Sequence, residues 1–156
     1  MAIATFGAGC FWGVEEVFRT TKGVIETSVG YMGGHNDKPT YEEVCRGQTN
    51  HAEVVQVSYA PEEVEYGTLV DIFFENHNPT QLNRQGPDIG TQYRSVIFYE
   101  DESQKAVAAK KKAALAASGR FRNEVITAID PATSYWPAEE YHQKYLQKRG
   151  MTSCHI

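Results

Sequence analysis

The sequence is poor in the features that mark several large classes of protein. It has three cysteines, Cys10, Cys45 and Cys154, an odd number without a Cys-x-x-Cys spacing, so neither a disulfide framework nor a zinc ribbon is indicated and reactive thiols remain. Its five histidines form no i, i+4 pair and keep no regular spacing to the cysteines, so no metal is expected. Positive charge is scarce. Fifteen Lys and Arg stand against twenty Asp and Glu, a net charge of -5 that gives no reason to expect nucleic acid as a partner. The one basic cluster, Lys110, Lys111 and Lys112, lies in an alanine-rich helical stretch and reads as a solvated face. No apolar run approaches the roughly 20 residues that span a bilayer, and the start, MAIATFGAG, lacks the basic region and apolar stretch of a signal peptide. A cytoplasmic protein without a membrane partner is expected.

What is present suits a globular chain. Hydrophobic residues at 41% and charged residues at 22% argue against disorder, and 156 residues with no repeat or linker predict a single domain over 1–156. Ile3 to Phe6 reads as a short buried strand. Gly7-Ala8-Gly9 breaks it before a helical pattern on Phe11, Val14, Val17 and Phe18, which Gly23 closes. Val24 to Tyr31 predicts a second strand. Residues 33–50 form a long loop with one helical turn around Tyr41 to Val44, of a length that is usually functional. Ala52 to Tyr59 is a third strand and Tyr66 to Asn76 an amphipathic helix, followed by a polar loop from His77 to Thr91 and a strand from Tyr93 to Tyr99. Asp101 or Ser103 can cap the next helix, which ends at Ser118-Gly119; Glu124 to Ile129 reads as a fifth strand and Ala138 to Lys148 as a last helix. Two consecutive β-α-β units predict an α+β fold, a ferredoxin-like (split β-α-β) two-layer sandwich with added loops and C-terminal elements.

Four residues carry the chemistry that the pattern alone supports. Cys10 begins the first helix, where unpaired N–H groups and the helix dipole favour a thiolate; the alternative is a small buried hydrophobe. Phe11 and Trp12 follow it and point about 100° apart, so at least one is free to line a pocket beside the sulfur while the other packs. Alternation along the third strand puts Glu53 on the face of Val55, Val57 and Tyr59, where burial would keep it protonated and able to donate; a strand-end glutamate reaching solvent is the other reading. Tyr41, Asp88 and Tyr93 lie on loop segments and are not singled out by spacing.

The string Gly9-Cys10-Phe11-Trp12-Gly13 closely resembles the active-site motif of peptide methionine sulfoxide reductases of the A class, which act on the S-epimer. The resemblance continues in order through Gly30-Tyr31-Met32-Gly33-Gly34, Pro39-Thr40-Tyr41, Val44-Cys45, His51-Ala52-Glu53, His77-Asn78-Pro79-Thr80, Asp88 to Ser95, Pro137-Ala138-Glu139 and Tyr141-His142-Gln143. It implies Cys10 as nucleophile, Phe11 and Trp12 as the pocket for the substrate's S-methyl group, and Glu53 as the acid that protonates the sulfoxide oxygen. Tyr41 and Tyr93 resemble the family's hydroxyls near that oxygen, and Asp88 its supporting carboxylate. The sequence departs from the family's usual pattern at Asn50, where glycine is common, and at Lys38, where asparagine is frequent; the long C-terminal extension with two cysteines found in some members is missing.

On this resemblance the Cys10 thiolate would reduce methionine sulfoxide in proteins, peptides or free form, leaving Cys10 as a sulfenic acid. Cys154, in a mobile C-terminal tail over 149–156, would resolve it as a Cys10–Cys154 disulfide, with Cys45 structural. The resemblance implies thioredoxin as reductant and no cofactor. A thiol peroxidase, or a redox-sensing peptide-binding module, would use the same thiol, but a peroxide has no methyl group for an aromatic pair to house.

Overall fold

The computed structural model describes residues 2–35, 37–47 and 49–150. A six-stranded sheet organises the chain. It is built from β1 (Ala2–Ala8), β2 (Val24–Met32), β3 (Ala52–Tyr59), β6 (Ser95–Tyr99), β7 (Ala128–Pro131) and β8 (Trp136–Pro137), in the order β7-β6-β1-β3-β2-β8. Among the described residues only the β6–β7 pairing is parallel. Helices α1 (Phe11–Arg19), α3 (Tyr66–Glu75) and α4 (Glu102–Ala117) fill the connections, and a helical turn α2 (Tyr41–Cys45) sits between β2 and β3. The architecture is therefore mixed α/β. Among the described residues no helix is long and apolar enough to cross a membrane.

Strand alternation divides the core in two. Val55, Val57 and Tyr59 of β3 join Phe6 of β1, Phe11 and Phe18 of α1, and Leu69, Val70 and Phe73 of α3 in the larger cluster. Phe6 is fully buried and stacks on Phe18 at 5.1 Å and on Phe73 at 5.3 Å. Ala52 and Val54 point the other way, into a smaller cluster with Met32, Val96 and Phe98 that Ala128, Ala132 and Tyr135 cover. Glu53 has the parity of Val55 and Val57, so the strand aims its carboxyl at the larger core.

Asp101 caps α4, its side chain accepting the Gln104 N–H at 2.8 Å, and Gln104 in turn donates to the Ile3 carbonyl at 2.8 Å, tying the helix to β1. Asp101→Ala is expected to cost about 1 kcal/mol, read as a lower urea midpoint with an unchanged m-value.

Three expectations differ from what is observed. The strand expected over Glu124 to Ile129 begins only at Ala128, because Val125 is buried in the larger core and the Ile126 N–H bonds the Pro79 carbonyl at 2.8 Å instead of a strand. The polar loop from His77 to Thr91 contains a hairpin of two short strands, β4 (Arg84–Gln85) and β5 (Asp88–Ile89), and Thr91–Tyr93 is a 3₁₀ turn, so β6 starts at Ser95 and not at Tyr93. The helix expected from Ala138 to Lys148 is a 3₁₀ turn, Glu140–His142, then a left-handed Lys144 at φ 53°, then a short α5 (Tyr145–Lys148). The greater part of the expected mobile tail, with Cys154, lies outside the described residues.

Candidate active site

The site begins where β1 ends. Gly9 turns the chain at φ 95°, a conformation that suits glycine, and Cys10 becomes the N-cap residue of α1. The first N–H of the helix, that of Phe11, donates to Glu53 Oε1 at 3.3 Å. This hydrogen bond joins the helix entrance to strand three. Glu53 is 1% exposed, and its other oxygen, Oε2, is buried without a hydrogen-bond partner among the described residues. Burial raises its pKa to about 8; the Phe11 N–H opposes the rise and the Asp88 charge adds to it. Burial on the apolar face, one of the two readings that the sequence left open, thus favours the neutral carboxyl.

The two rings after Cys10 take different places. Phe11 is buried, with ring centroids 5.8 Å from Tyr31, 6.3 Å from Tyr41 and 5.3 Å from His142. Trp12 is half-buried, stacks on Tyr145 at 3.9 Å and donates its indole N–H to His142 Nδ1 at 3.0 Å.

Tyr41 and Tyr93 are half-buried, and the hydroxyls of both favour the thiolate of Cys45, which places them near its sulfur. Burial raises the pKa of Tyr41 and of Tyr93, and the Glu53 charge adds to each. Cys45 is exposed as a residue and so is not a core cysteine, although burial of its thiol outweighs the Tyr41 hydroxyl and raises its pKa. The i, i+4 spacing of Tyr41 and Cys45 on α2 was the available signal for that contact. Asp88, half-buried on β5, reaches the site from the hairpin and shares with Cys10 a recess of about 260 Å3 that Val14 and Val17 of α1 also line.

Five of the residues nominated from sequence, Phe11, Trp12, Glu53, Tyr41 and Tyr93, therefore gather around the entrance of α1 beside Cys10. Asp88 approaches Cys10 from another side, and Cys154 lies outside the described residues. Spacing did not nominate Tyr31, Glu139, His142 or Tyr145. The fully buried Tyr31 hydroxyl donates to Glu139 Oε1 at 3.1 Å, while Glu139 Oε2 accepts the Tyr41 N–H at 3.1 Å. Burial would raise the Glu139 pKa, but its own backbone N–H, that of Tyr41 and the Tyr31 hydroxyl together lower it. Among the described residues no group of three or more His, Cys, Asp or Glu side chains could hold a metal ion.

A sulfur at a helix entrance with a protonated carboxyl close by is equipped to attack an electrophile whose departing atom must take up a proton. The comparisons with known proteins specify that electrophile. The family profile described as peptide methionine sulfoxide reductase matches residues 2–156. A peptide methionine sulfoxide reductase MsrA from Methanothermobacter thermautotrophicus is 56% identical over 98% of this chain and 90% of its own. Among solved structures, Mxr1 from Saccharomyces cerevisiae in reduced form superposes with a TM-score of 0.90 at 39% identity, over 96% of this chain and 86% of that one. Mxr1 in complex with Trx2 gives a TM-score of 0.65 at 26% identity, over 92% of this chain and 84% of that one. The chain belongs to the peptide methionine sulfoxide reductase family and is an enzyme of that activity, which decides among the three readings of the sequence in favour of sulfoxide reduction.

Proposed function

We propose that Cys10 is the sulfur that attacks the sulfoxide and that Glu53 is the acid that protonates its oxygen. The buried, unpartnered Oε2 of Glu53 carries this reading, because Oε1 already accepts the Phe11 N–H and the one remaining oxygen of a neutral carboxyl is the one that can hold a donatable proton. The Cys10 thiolate forms a bond to the substrate sulfur as the oxygen takes the Glu53 proton. Transfer of the oxygen to sulfur of Cys10 releases methionine and leaves a sulfenic acid, so the cysteine is oxidised by two electrons and the sulfoxide reduced by two. Trp12 and Phe11 wall the place of the S-methyl group, Tyr41 and Tyr93 turn hydroxyls towards the oxygen, and Asp88 supports the site from the hairpin. The S-epimer in proteins, peptides or free methionine sulfoxide is the substrate.

Cys154 then condenses with the sulfenic acid, releasing water and forming the Cys10–Cys154 disulfide, and the dithiol of a thioredoxin reduces it. The likeness to Mxr1 in complex with Trx2 supports thioredoxin as that reductant. A cytoplasmic setting, where thiols are kept reduced, suits this cycle. The order β6-β1-β3-β2 with antiparallel neighbours, and the connections β1-α1-β2 and β3-α3-β6, support a ferredoxin-like (split β-α-β) sandwich. Two core clusters on one sheet support a single domain over 1–156.

The test is a turnover without reductant. Reduced enzyme mixed with a peptide methionine sulfoxide is expected to form one methionine per chain and then stop, and peptide mapping is expected to find Cys10 joined to Cys154. A Cys10–Cys45 bond would overturn the pairing, and no methionine at all would overturn Cys10 as the donor of electrons.

A further inference from the structure

We infer that the recess between α1 and the β4–β5 hairpin is a subsite for one apolar side chain of the peptide substrate, that of the residue next to the methionine sulfoxide. The inference rests on Cys10 as the attacking sulfur, because Cys10 lines the recess and makes it continuous with the reacting atom. A peptide held at that sulfur has to lead its chain away from it, and the aromatic pair does not occupy this side of the helix. Trp12 follows Cys10 by two residues, about 200° around α1, whereas Gly13, Val14 and Val17 follow by three, four and seven and return to its face. These three residues form the floor of the recess. Gly13 has no side chain to fill it, and Val14 and Val17 are only half-buried.

The walls are polar in composition, yet their polar groups are already spent on the protein itself. Gln85 lays the stem of its side chain on Gly9, where an added Cβ would come within 2.8 Å of its Cγ, and commits its amide to Asn78, accepting the N–H at 2.9 Å and donating to the carbonyl. His77 donates from Nδ1 to the Phe73 carbonyl at 2.6 Å, so its Nε2 accepts the Ser95 hydroxyl at 2.7 Å. Burial lowers the pKa of that ring to about 4, which leaves it neutral at pH 7. The Asn76 amide donates to the Ile72 carbonyl at 2.8 Å, the Gly86 N–H donates to Gln81 Oε1 at 2.8 Å, and Pro87 has no N–H. What remains for a ligand is the apolar surface of Val14, Val17 and Pro87, with the Asp88 carboxylate among the lining groups. A space of about 260 Å3 with this lining accepts one aliphatic side chain. It disfavours an acidic one, which would give up its hydration to face Asp88 and the Cys10 thiolate.

The experiment measures kcat/KM, with dithiothreitol as reductant, for a peptide that carries methionine sulfoxide between two glycines and for peptides with Leu or Asp in place of the preceding or the following glycine. Leu at one of these positions is expected to raise kcat/KM about tenfold, through KM, and Asp at the same position to lower it below that of the glycine peptide. Val17→Phe fills the recess and is expected to bring the Leu-to-Gly ratio down to about one. Val17→Thr keeps the shape but adds a hydroxyl, and is expected to cut the ratio about threefold; it supplies the same readout if the larger ring impairs folding. Equal values for the Gly, Leu and Asp peptides overturn the subsite, as does a Leu preference that the Val17 variants leave intact. Val17 variants that keep the Leu preference but are reduced slowly by thioredoxin would give the recess to the reductant and overturn it as well. Cys10→Ser separates this outcome from failure of the underlying reading: methionine formed by that variant removes Cys10 as the attacking sulfur, whereas an enzyme that needs Cys10 but ignores the neighbouring side chain removes only the subsite.

Discussion

Glu53→Gln is expected to slow the first turnover by roughly 10²- to 10⁴-fold, the usual contribution of a positioned general acid, while leaving the fold intact. The amide keeps an oxygen to accept the Phe11 N–H but offers no acidic proton at the place of the unpartnered Oε2. Rapid-quench measurement of methionine formed by pre-reduced enzyme isolates this step from recycling. The pH profile should change with it. Because the folded carboxyl ionises near 8, its acid form predominates at pH 7 and is lost as pH rises through 8, so the wild-type rate should fall on that alkaline side. The Gln variant should lack that limb. A variant rate within a few-fold of wild type would remove Glu53 from the proton transfer.

Glu53→Gln should raise stability while it lowers activity. The carboxyl ionises near 4.5 when exposed and near 8 when folded. Between those values the unfolded chain has given up a proton that the folded protein retains, so wild-type stability falls as pH rises from about 4.5 to about 8 and is indifferent to this group outside that window. The loss is on the order of 5 kcal/mol for a group this deeply buried. Glu53→Gln has no such slope, and its advantage in denaturant midpoint over wild type should widen across the same window. An acid kept neutral for chemistry is thus held at the expense of the fold.

How much of this was legible in the sequence depends on how far each residue's partners lie along the chain. The helix entrance at Cys10 is written locally, in glycines before it and an apolar stripe after it, and strand parity gives the face of Glu53 but leaves open whether the carboxyl is buried there or reaches solvent. Tyr41 beside Cys45 is an i, i+4 neighbour and could have been found. The segment after Ala138 could not: Ala138, Tyr141, Tyr145 and Leu146 have helical spacing, yet the chain breaks at Lys144, whose backbone N–H is captured by Glu15, 129 positions earlier. His142 and Trp12 are likewise 130 positions apart, and neither carries a mark of the other. The two-residue strands β4 and β5 are shorter than any alternation can reveal. Tyr93, read as the first residue of a strand, belongs instead to a 3₁₀ turn, and its hydroxyl favours the thiolate of Cys45.

Glu15→Ala is expected to cost about 3–5 kcal/mol, because it removes the centre of a buried polar junction rather than a surface ion pair. Glu15 is 1% exposed; one oxygen accepts the Lys144 N–H at 2.6 Å and the other the Thr27 hydroxyl at 2.9 Å, with the Lys144 ammonium 3.7 Å away. That ammonium also donates to the Thr27 carbonyl at 2.7 Å and pairs with Glu26 at 2.9 Å. In the alanine variant a part-buried backbone N–H and a buried hydroxyl lose their acceptor together, and the main-chain anchor of Lys144 in its left-handed conformation is lost. Lys144→Gly should cost less, since glycine relieves the backbone strain and preserves the N–H that Glu15 accepts. The melting temperature of Glu15→Ala should fall by roughly 10 °C, and a fall of only a degree or two would show that the junction contributes little. The loss should also reach the site. Lys144 directly precedes Tyr145, whose ring lies flat on Trp12, so releasing it lets that ring drift from the indole and should raise KM for peptide sulfoxides even at temperatures where the variant is fully folded.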